Sequence, residues 1–166
     1  MSTNPNRLIG GQYLVKDASY NDIFTYEDLS EEQQMILQSA KEFIDKEVVP
    51  KKHQIEKKDY ALIEDLMRKI GELGLLGISV PEEYGGMGMG FVTTMLVCDY
   101  ISGATGSLAT AFGAHTGIGT MPITLYGTEE QKQKYLPKLA SGEWFASYCL
   151  TEPEAGSDAN SGKTKA

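Results

Sequence analysis

The chain of 166 residues is long enough for one domain with its own hydrophobic core, so it needs no disulfide or metal to fold. Asp and Glu outnumber Lys and Arg by 23 to 15, and the net charge of −8 argues against nucleic acid or an anionic membrane as a partner. Two cysteines, Cys98 and Cys149, are too few for a disulfide framework, and no signal-peptide or membrane-span pattern is present, which predicts a cytoplasmic protein.

Residues 1–29 show no helical period and contain a proline and a pair of adjacent glycines. They predict an extended arm, with a short strand at residues 13–15. The first helix should begin after Ser30, because Ser30 and Gln33 have the spacing of a capping box. Apolar side chains then recur at helical spacing until Pro50, which we expect to end the helix.

A second helix is predicted from Asp59, a good N-cap residue, to Gly74, a good C-terminal stop. A glycine-rich loop follows. The next predicted helix, residues 91–102, is apolar on most sides, so we expect it to be buried between other helices. Gly103 and Gly106 should break it, because glycine destabilises a helix interior.

Small side chains dominate the following predicted helix, residues 107–118. One stripe of its surface, at positions i, i+3, i+4 and i+7, carries almost no side-chain bulk: Thr110, Gly113, Ala114 and Gly117. Close packing against another helix would use such a stripe, and so would a bound ligand. Each glycine costs up to ~1 kcal/mol of helix stability relative to alanine, which points to a need for space.

Thr128 and Gln131 form a second capping box, which predicts a short helix as far as Lys138. Apolar and polar side chains then alternate over residues 144–150, as they do in a β-strand. The chain is therefore predicted to be mainly α-helical, with a first strand near its C-terminal end. The expected divisions are an extended arm, a helical domain and the beginning of a β-domain: residues 1–29, 30–143 and 144–166.

The predicted strand leads into a turn of small and acidic residues, EPEAGSD, at residues 152–158. Gly156 allows close approach to the backbone, and the N–H groups of such a turn can hold an anion. A plain β-turn in which the Asp158 side chain accepts an Asx-type hydrogen bond would have the same sequence pattern. The turn alone leaves both interpretations open.

The signatures of other chemistries are missing. Ser157 is not part of a G-x-S-x-G elbow, so a serine hydrolase is not indicated. His53 and His115 are isolated, and no Cys or His pair has the spacing of metal ligands. The glycine-rich GGMGMG at residues 85–90 lies between helices and not after a strand, which argues against a Rossmann site.

Four stretches carry a family resemblance: EVVP (47–50), GLLGISVPEEYGGMG (74–88), GAHTGIGTMPITLYGTEEQKQKYLPKLASGE (113–143) and YCLTEPEAGSDA (148–159). They resemble stretches that occur in the same order in the acyl-CoA dehydrogenases, and the last is a highly specific signature of that family. The resemblance covers the chain from Ser30 onwards. The arm and the GAHTGIG motif look most like the long-chain and very-long-chain branch.

The resemblance implies a helical N-terminal domain, a β-domain and a C-terminal helical bundle, with FAD and fatty acyl-CoA bound between them. Tyr148, Leu150 and Thr151 match positions that contact the flavin ring in the family. Gly156 and Ser157 match the turn that meets the cofactor pyrophosphate and the pantetheine of CoA. The implied reaction is the α,β-dehydrogenation of acyl-CoA to trans-2-enoyl-CoA in fatty acid β-oxidation.

In the family, the helix with the small-residue stripe lines the acyl-chain tunnel. The stripe residues would leave that tunnel deep, which favours a long-chain substrate: Thr110, Gly113, Ala114 and Gly117. The glutamate that removes the α proton is expected beyond residue 166, so no catalytic residue and no metal ligand is assigned within this chain. These 166 residues alone are therefore expected to be inactive.

The resemblance also implies partners and a compartment. Electrons would pass to an electron-transfer flavoprotein, and the complete protein would form a homo-oligomer. A bacterial protein would be cytoplasmic; a eukaryotic one would belong in the mitochondrial matrix, although no presequence is visible. Two alternatives remain: an acyl-CoA oxidase, which passes electrons to oxygen, and a helical interaction module that has lost the chemistry.

Overall fold

The computed structural model describes residues 7–165 of the chain. Helices dominate this part, and no β-strand is formed within it, which confirms the mainly α-helical fold. The α-helices are α1 (Glu31–Phe43), α2 (Lys52–Glu56), α3 (Tyr60–Glu72), α4 (Phe91–Ala104), α5 (Gly106–Gly113), α6 (Met121–Tyr126) and α7 (Glu129–Ala140).

Polar side chains cap the helix N-termini as the sequence predicts. The Ser30 hydroxyl accepts the Gln33 N–H at 3.2 Å, and the Gln33 side chain accepts the Ser30 N–H at 3.0 Å. Thr128 begins α7 with the same reciprocal pair, and the Asp59 carboxylate caps α3. Each cap satisfies a backbone donor that the helix itself leaves unpaired, typically stabilising the helix by about 1 kcal/mol.

Two helices widen shortly before a proline. The turns Ile44–Val48 and Ala114–Thr120 have π-helical geometry, and each ends two residues before a proline, Pro50 or Pro122. A proline ring clashes with the carbonyl four residues earlier, and a wider turn relieves that clash. The prediction that Pro50 ends the first helix is therefore wrong: the chain continues through the 3-10 turn Val49–Lys51 into α2.

The main hydrophobic core lies between α1, α3, α4 and α5. Within it, the Gln33 side chain donates a buried hydrogen bond to the Thr93 hydroxyl at 3.0 Å, which joins α1 to α4. A second, smaller cluster packs the loop after α3 against α7, through Val80, Tyr84, Leu136 and Ala140.

Helix α4 departs from its prediction in two ways. One of its sides is buried in the core, but Phe91, Val92 and Met95 are exposed, because no element among residues 7–165 covers that side. Gly103 lies inside the helix, which ends only at Ala104. The break before α5 falls at Thr105, whose extended backbone and hydroxyl cap the next helix.

Neither predicted strand is formed. Residues 10–14 make a 3-10 helix, Gly10–Leu14, so the strand at residues 13–15 is wrong; Gly10 has φ +58°, outside the β region. Residues 145–151 have no regular secondary structure, because no neighbouring backbone within residues 7–165 pairs with them. The strand predicted from that alternation is therefore not formed in the described part of the chain.

Candidate functional site

The segment that carries the signature leaves the helical domain at the end of α7 and is tied to it over residues 143–146. The Trp144 N–H donates to the Lys138 carbonyl at 3.0 Å, and the Lys138 ammonium lies 2.8 Å from the Glu143 carboxylate and 4.4 Å from the centre of the Trp144 ring. The Arg68 guanidinium lies 5.4 Å from the centre of the Phe145 ring. These contacts hold the first part of the segment against α3 and α7.

His115 makes the last tie. Its Nε2 lies 3.0 Å from the Leu139 carbonyl oxygen, and its Nδ1 accepts the Ala146 N–H at 3.1 Å. A carbonyl can only accept, so Nε2 carries the proton and Nδ1 presents its lone pair. His115 is 1% exposed, and this burial lowers the pKa of the imidazole below its ordinary value of 6.5, which keeps the ring neutral.

From the sequence, His115 was only an isolated histidine without the spacing of a metal ligand, so this connection was not predicted. One signal could have found it. A histidine on a helix built almost entirely of small and apolar residues is buried, and a buried histidine needs partners for both ring nitrogens. Ala146 also packs on Gly119, which lies in the same helical turn as His115. A Cβ at Gly119 would lie 2.4 Å from the Ala146 Cβ.

Beyond Ala146 the chain is open. The predicted flavin-contacting residues Tyr148, Leu150 and Thr151 are all exposed, Tyr148 to 54%. Within residues 7–165, the backbone of residues 147–151 forms no hydrogen bond. This run therefore presents both its side chains and its backbone N–H and C=O groups to whatever lies against it.

The turn that follows is closed by its own backbone. Glu152 and Ala155 exchange two hydrogen bonds of 3.0 and 3.1 Å, and the Glu152 carboxylate accepts the N–H groups of Lys163 and Thr164 at 2.7 and 3.1 Å. The bond from the Lys163 N–H is the main reason that the pKa of Glu152 is lowered. Glu152 therefore shapes the turn and holds the chain that follows it.

Gly156 and Ser157 lie at the open side of this turn. Both are exposed, a Cβ at Gly156 would meet no atom within 4 Å, and neither N–H is hydrogen bonded within the described residues. Asp158 accepts a hydrogen bond from the Ser161 hydroxyl and so closes the next turn. The two interpretations of the sequence are compatible here: the backbone makes a β-turn, and the donors beside it are left free.

The small-residue stripe faces outward. Gly113 and Ala114 are half-buried, Thr110 and Gly117 are exposed, and a Cβ added at Gly113 or Gly117 would meet nothing within 4 Å. Within residues 7–165 no helix packs into this stripe. The π turn keeps Gly117 on the open side beside Ile118, which is 52% exposed.

The predicted residues thus form two groups: the stripe, and the segment and turn at residues 148–157. No hydrogen bond joins the two groups in the described part of the chain. They are connected indirectly, because His115 and Gly119, which neighbour the stripe residues in sequence, contact Ala146, which precedes the exposed run. Among residues 7–165, no cluster of three or more His, Cys, Asp or Glu side chains could hold a metal ion. None of the described helices has the length and apolar character needed to cross a membrane.

Fold and site together define an all-helical domain with an outward-facing stripe of small residues and an exposed segment at its C-terminal end. A family model described as "Acyl-CoA dehydrogenase, N-terminal domain" matches residues 30–143. The chain belongs to the acyl-CoA dehydrogenase family. It is 46% identical over 157 residues to a probable acyl-CoA dehydrogenase of Bacillus subtilis, a match that covers 95% of this chain and 26% of that protein.

Two further relatives extend the comparison. The crystal structure of an acyl-CoA dehydrogenase from Bacillus anthracis, complexed with FAD, superimposes with a TM-score of 0.83 at 47% identity, over 93% of this chain and 26% of that one. The mitochondrial isovaleryl-CoA dehydrogenase of Pongo abelii is 39% identical over 83% of this chain and 33% of its own length. The chain therefore spans between a quarter and a third of the length of these relatives.

Proposed function

We propose that the chain forms the N-terminal part of an FAD-dependent acyl-CoA dehydrogenase. In this proposal residues 30–143 are the helical domain, residues 1–29 an arm, and residues 144–166 the beginning of a β-domain. The observation that carries the proposal is the run at residues 147–151, which is exposed and unpaired yet held in place at Ala146. The FAD complex of the Bacillus anthracis relative supports the choice of cofactor.

The residues of the run and the turn have the chemistry that FAD needs. Tyr148 and Leu150 offer exposed apolar surface to a flat ring, and the Thr151 hydroxyl can donate a hydrogen bond of the kind that stabilises negative charge on it. The free N–H groups of Gly156 and Ser157 suit a pyrophosphate or the polar part of CoA. When bound, FAD would supply the acceptor for the hydride that leaves the β-carbon of the acyl group.

The substrate is a fatty acyl-CoA, and we propose a long-chain one. The only structural support for this length is the stripe of Thr110, Gly113, Ala114 and Gly117, which no described helix fills and which leaves room for an acyl chain. The comparisons do not support the long-chain branch, because the relatives include an isovaleryl-CoA dehydrogenase and a short-chain-specific acyl-CoA dehydrogenase.

An electron-transfer flavoprotein is the proposed electron acceptor, and a homo-oligomer the proposed assembly of the complete protein. The net charge of −8 is consistent with small-molecule and protein partners in place of nucleic acid. No catalytic base is proposed within the described residues. The acids of the turn are engaged in shaping it: Glu152 binds backbone N–H groups, and Glu154 pairs with Lys163.

The test is the anaerobic visible spectrum of the protein expressed from its complete reading frame, before and after palmitoyl-CoA is added. A flavin spectrum that bleaches on addition supports the dehydrogenase. If air is then admitted and hydrogen peroxide forms as fast as acyl-CoA is turned over, the protein is an oxidase. A protein that contains no flavin and acquires none from added FAD would favour the interaction module.

A further inference from the structure

We propose that His115 is a positioning residue, whose neutral ring fixes Ala146 and thereby sets where the run at residues 147–151 lies. The inference rests on the proposed function, because that run is the part of the chain assigned to the flavin. His115 itself touches neither cofactor nor substrate in this proposal. It acts through the backbone of Ala146.

The first argument is the match between one tautomer and two partners. Leu139 lies at the end of α7 and offers a carbonyl, while Ala146 offers an N–H on the other side of the ring. Only an imidazole that is protonated at Nε2 and bare at Nδ1 satisfies both. The ring edge also meets the Phe145 ring, with centroids 6.0 Å apart and planes at 79°. These contacts leave the buried imidazole one orientation.

The second argument is the place of Ala146 in the chain. Its N–H is the last backbone donor before Glu152 that is hydrogen bonded within residues 7–165. Tyr148 follows two residues later and Thr151 five residues later. The position of both therefore depends on where Ala146 is held, and His115 and Gly119 hold it from one helix.

The third argument is the helix that carries His115. The π turn Ala114–Thr120 contains both His115 and Gly119, and it is braced by the Thr120 hydroxyl, which donates to the His115 carbonyl at 2.7 Å. The Thr116 hydroxyl donates to the Phe112 carbonyl at 2.9 Å. π turns inside α-helices occur frequently at functional sites. Here the outer side of the turn carries the open stripe, while its inner side carries the contact to Ala146.

A purely structural role would be that His115 only ties α7 to the π turn Ala114–Thr120. Two substitutions separate the roles. In His115→Asn, the side-chain oxygen can take the place of Nδ1 and accept the Ala146 N–H, while the bond to Leu139 is lost. In His115→Gln, the side-chain amide nitrogen can take the place of Nε2 and donate to Leu139, while the bond to Ala146 is lost.

The experiment uses the protein expressed from its complete reading frame, with both variants and His115→Ala. Three quantities are measured: amide hydrogen exchange of residues 146–151, the Kd for FAD, and the melting temperature. We expect His115→Gln to exchange faster at residues 146–151 and to bind FAD about 3- to 10-fold more weakly, which corresponds to the loss of one hydrogen bond. His115→Asn should restore both values towards those of the wild type.

Unchanged exchange at residues 146–151 in His115→Gln would overturn the proposal. Equal losses of FAD affinity in the Asn and Gln variants, in proportion to their losses of melting temperature, would also overturn it, because they would show that His115 has only a structural role. If the wild-type protein binds no FAD, the proposed function fails, and the exchange comparison still decides whether His115 positions the run.

Discussion

Gly119 and Ala146 pack so closely that a Cβ on residue 119 would lie 2.4 Å from the Cβ of Ala146. The same Cβ would lie 3.0 Å from the Ala114 carbonyl oxygen, within its own helix. We therefore predict that Gly119→Ala displaces the segment after α7 and lowers the free energy of unfolding by about 1–3 kcal/mol, the usual cost of overpacking. Chemical denaturation followed by tryptophan fluorescence measures this, since Trp144 lies in the displaced segment.

Gly117→Ala is the matched control, because Gly117 lies in the same π turn and its added methyl group would meet open space. It should leave the free energy of unfolding unchanged or raise it by up to about 1 kcal/mol. If Gly119→Ala and Gly117→Ala are equally destabilising, the cause is the conformation of the π turn and not the contact of residue 119 with Ala146.

The neighbouring threonines of α4 offer a second pair. The Thr93 hydroxyl accepts the buried Gln33 amide at 3.0 Å, whereas the buried Thr94 hydroxyl has no hydrogen-bond partner within residues 7–165. Thr93→Val should cost about 1–3 kcal/mol of unfolding free energy, since it strands the Gln33 amide. Thr94→Val should be neutral or stabilising. Urea unfolding of both variants checks this, and a greater loss in Thr94→Val would contradict it.

Tyr84 connects the loop after α3 to α7. Its buried hydroxyl donates to both carboxylate oxygens of Glu129, at 2.9 and 3.0 Å, and this bond raises the pKa of the phenol. We predict that Tyr84→Phe lowers the melting temperature by about 2–4 °C. Glu129→Gln retains one acceptor oxygen and should have a smaller effect. Differential scanning calorimetry of both variants distinguishes the hydrogen bond from packing of the ring.

Acid should destabilise the protein through His115. Burial lowers the pKa of His115 in the folded state. At pH values between the folded-state pKa and 6.5, the unfolded chain is therefore protonated at His115 and the folded chain is not. Stability from this residue is fully present above pH 6.5 and is lost as the pH falls through the folded-state pKa, by at most about 1.4 kcal/mol per pH unit. Unfolding free energies between pH 5 and pH 7 should therefore fall less steeply in His115→Gln; equal slopes would contradict the prediction.

The open stripe predicts a change in substrate length. Gly113→Leu places a bulky side chain where a Cβ now meets no atom within 4 Å, so it should fold normally and, under the proposed function, take up space that a long acyl chain would occupy. In the protein expressed from its complete reading frame, the ratio of kcat/KM for palmitoyl-CoA to that for butyryl-CoA should fall at least about tenfold, the ratio that 1.4 kcal/mol represents. An unchanged ratio would place the acyl chain elsewhere.

Local signals in the sequence were enough for the helices. Ser30, Asp59 and Thr128 cap three of them as predicted, since capping depends on residues three positions apart. The effect of Pro50 was missed, because whether a proline ends or widens a helix depends on the packing around it. The strand at residues 144–150 was also wrong for the described chain, since strand formation depends on a partner that local alternation does not reveal.

Only part of the candidate site could be predicted from the sequence. The exposure of Tyr148 and Thr151 and the open face of Gly113 fit what the resemblance implies, although their roles remain predictions. The contact of His115 with Ala146 joins residues 31 positions apart, and neither the helical nor the strand period relates them. Such long-range pairs become visible only when the helices have packed.

The π turn at Ala114–Thr120 has a consequence for how this helix can vary between related proteins. A π turn holds one residue more than an α turn, so deleting one residue there would give an ordinary α turn and bring back the clash with Pro122 that the wider turn relieves. The extra residue and Pro122 should therefore vary together between related proteins. If a relative lacks both, sequences aligned across residues 114–120 without a gap would pair the wrong residues on one side of the turn.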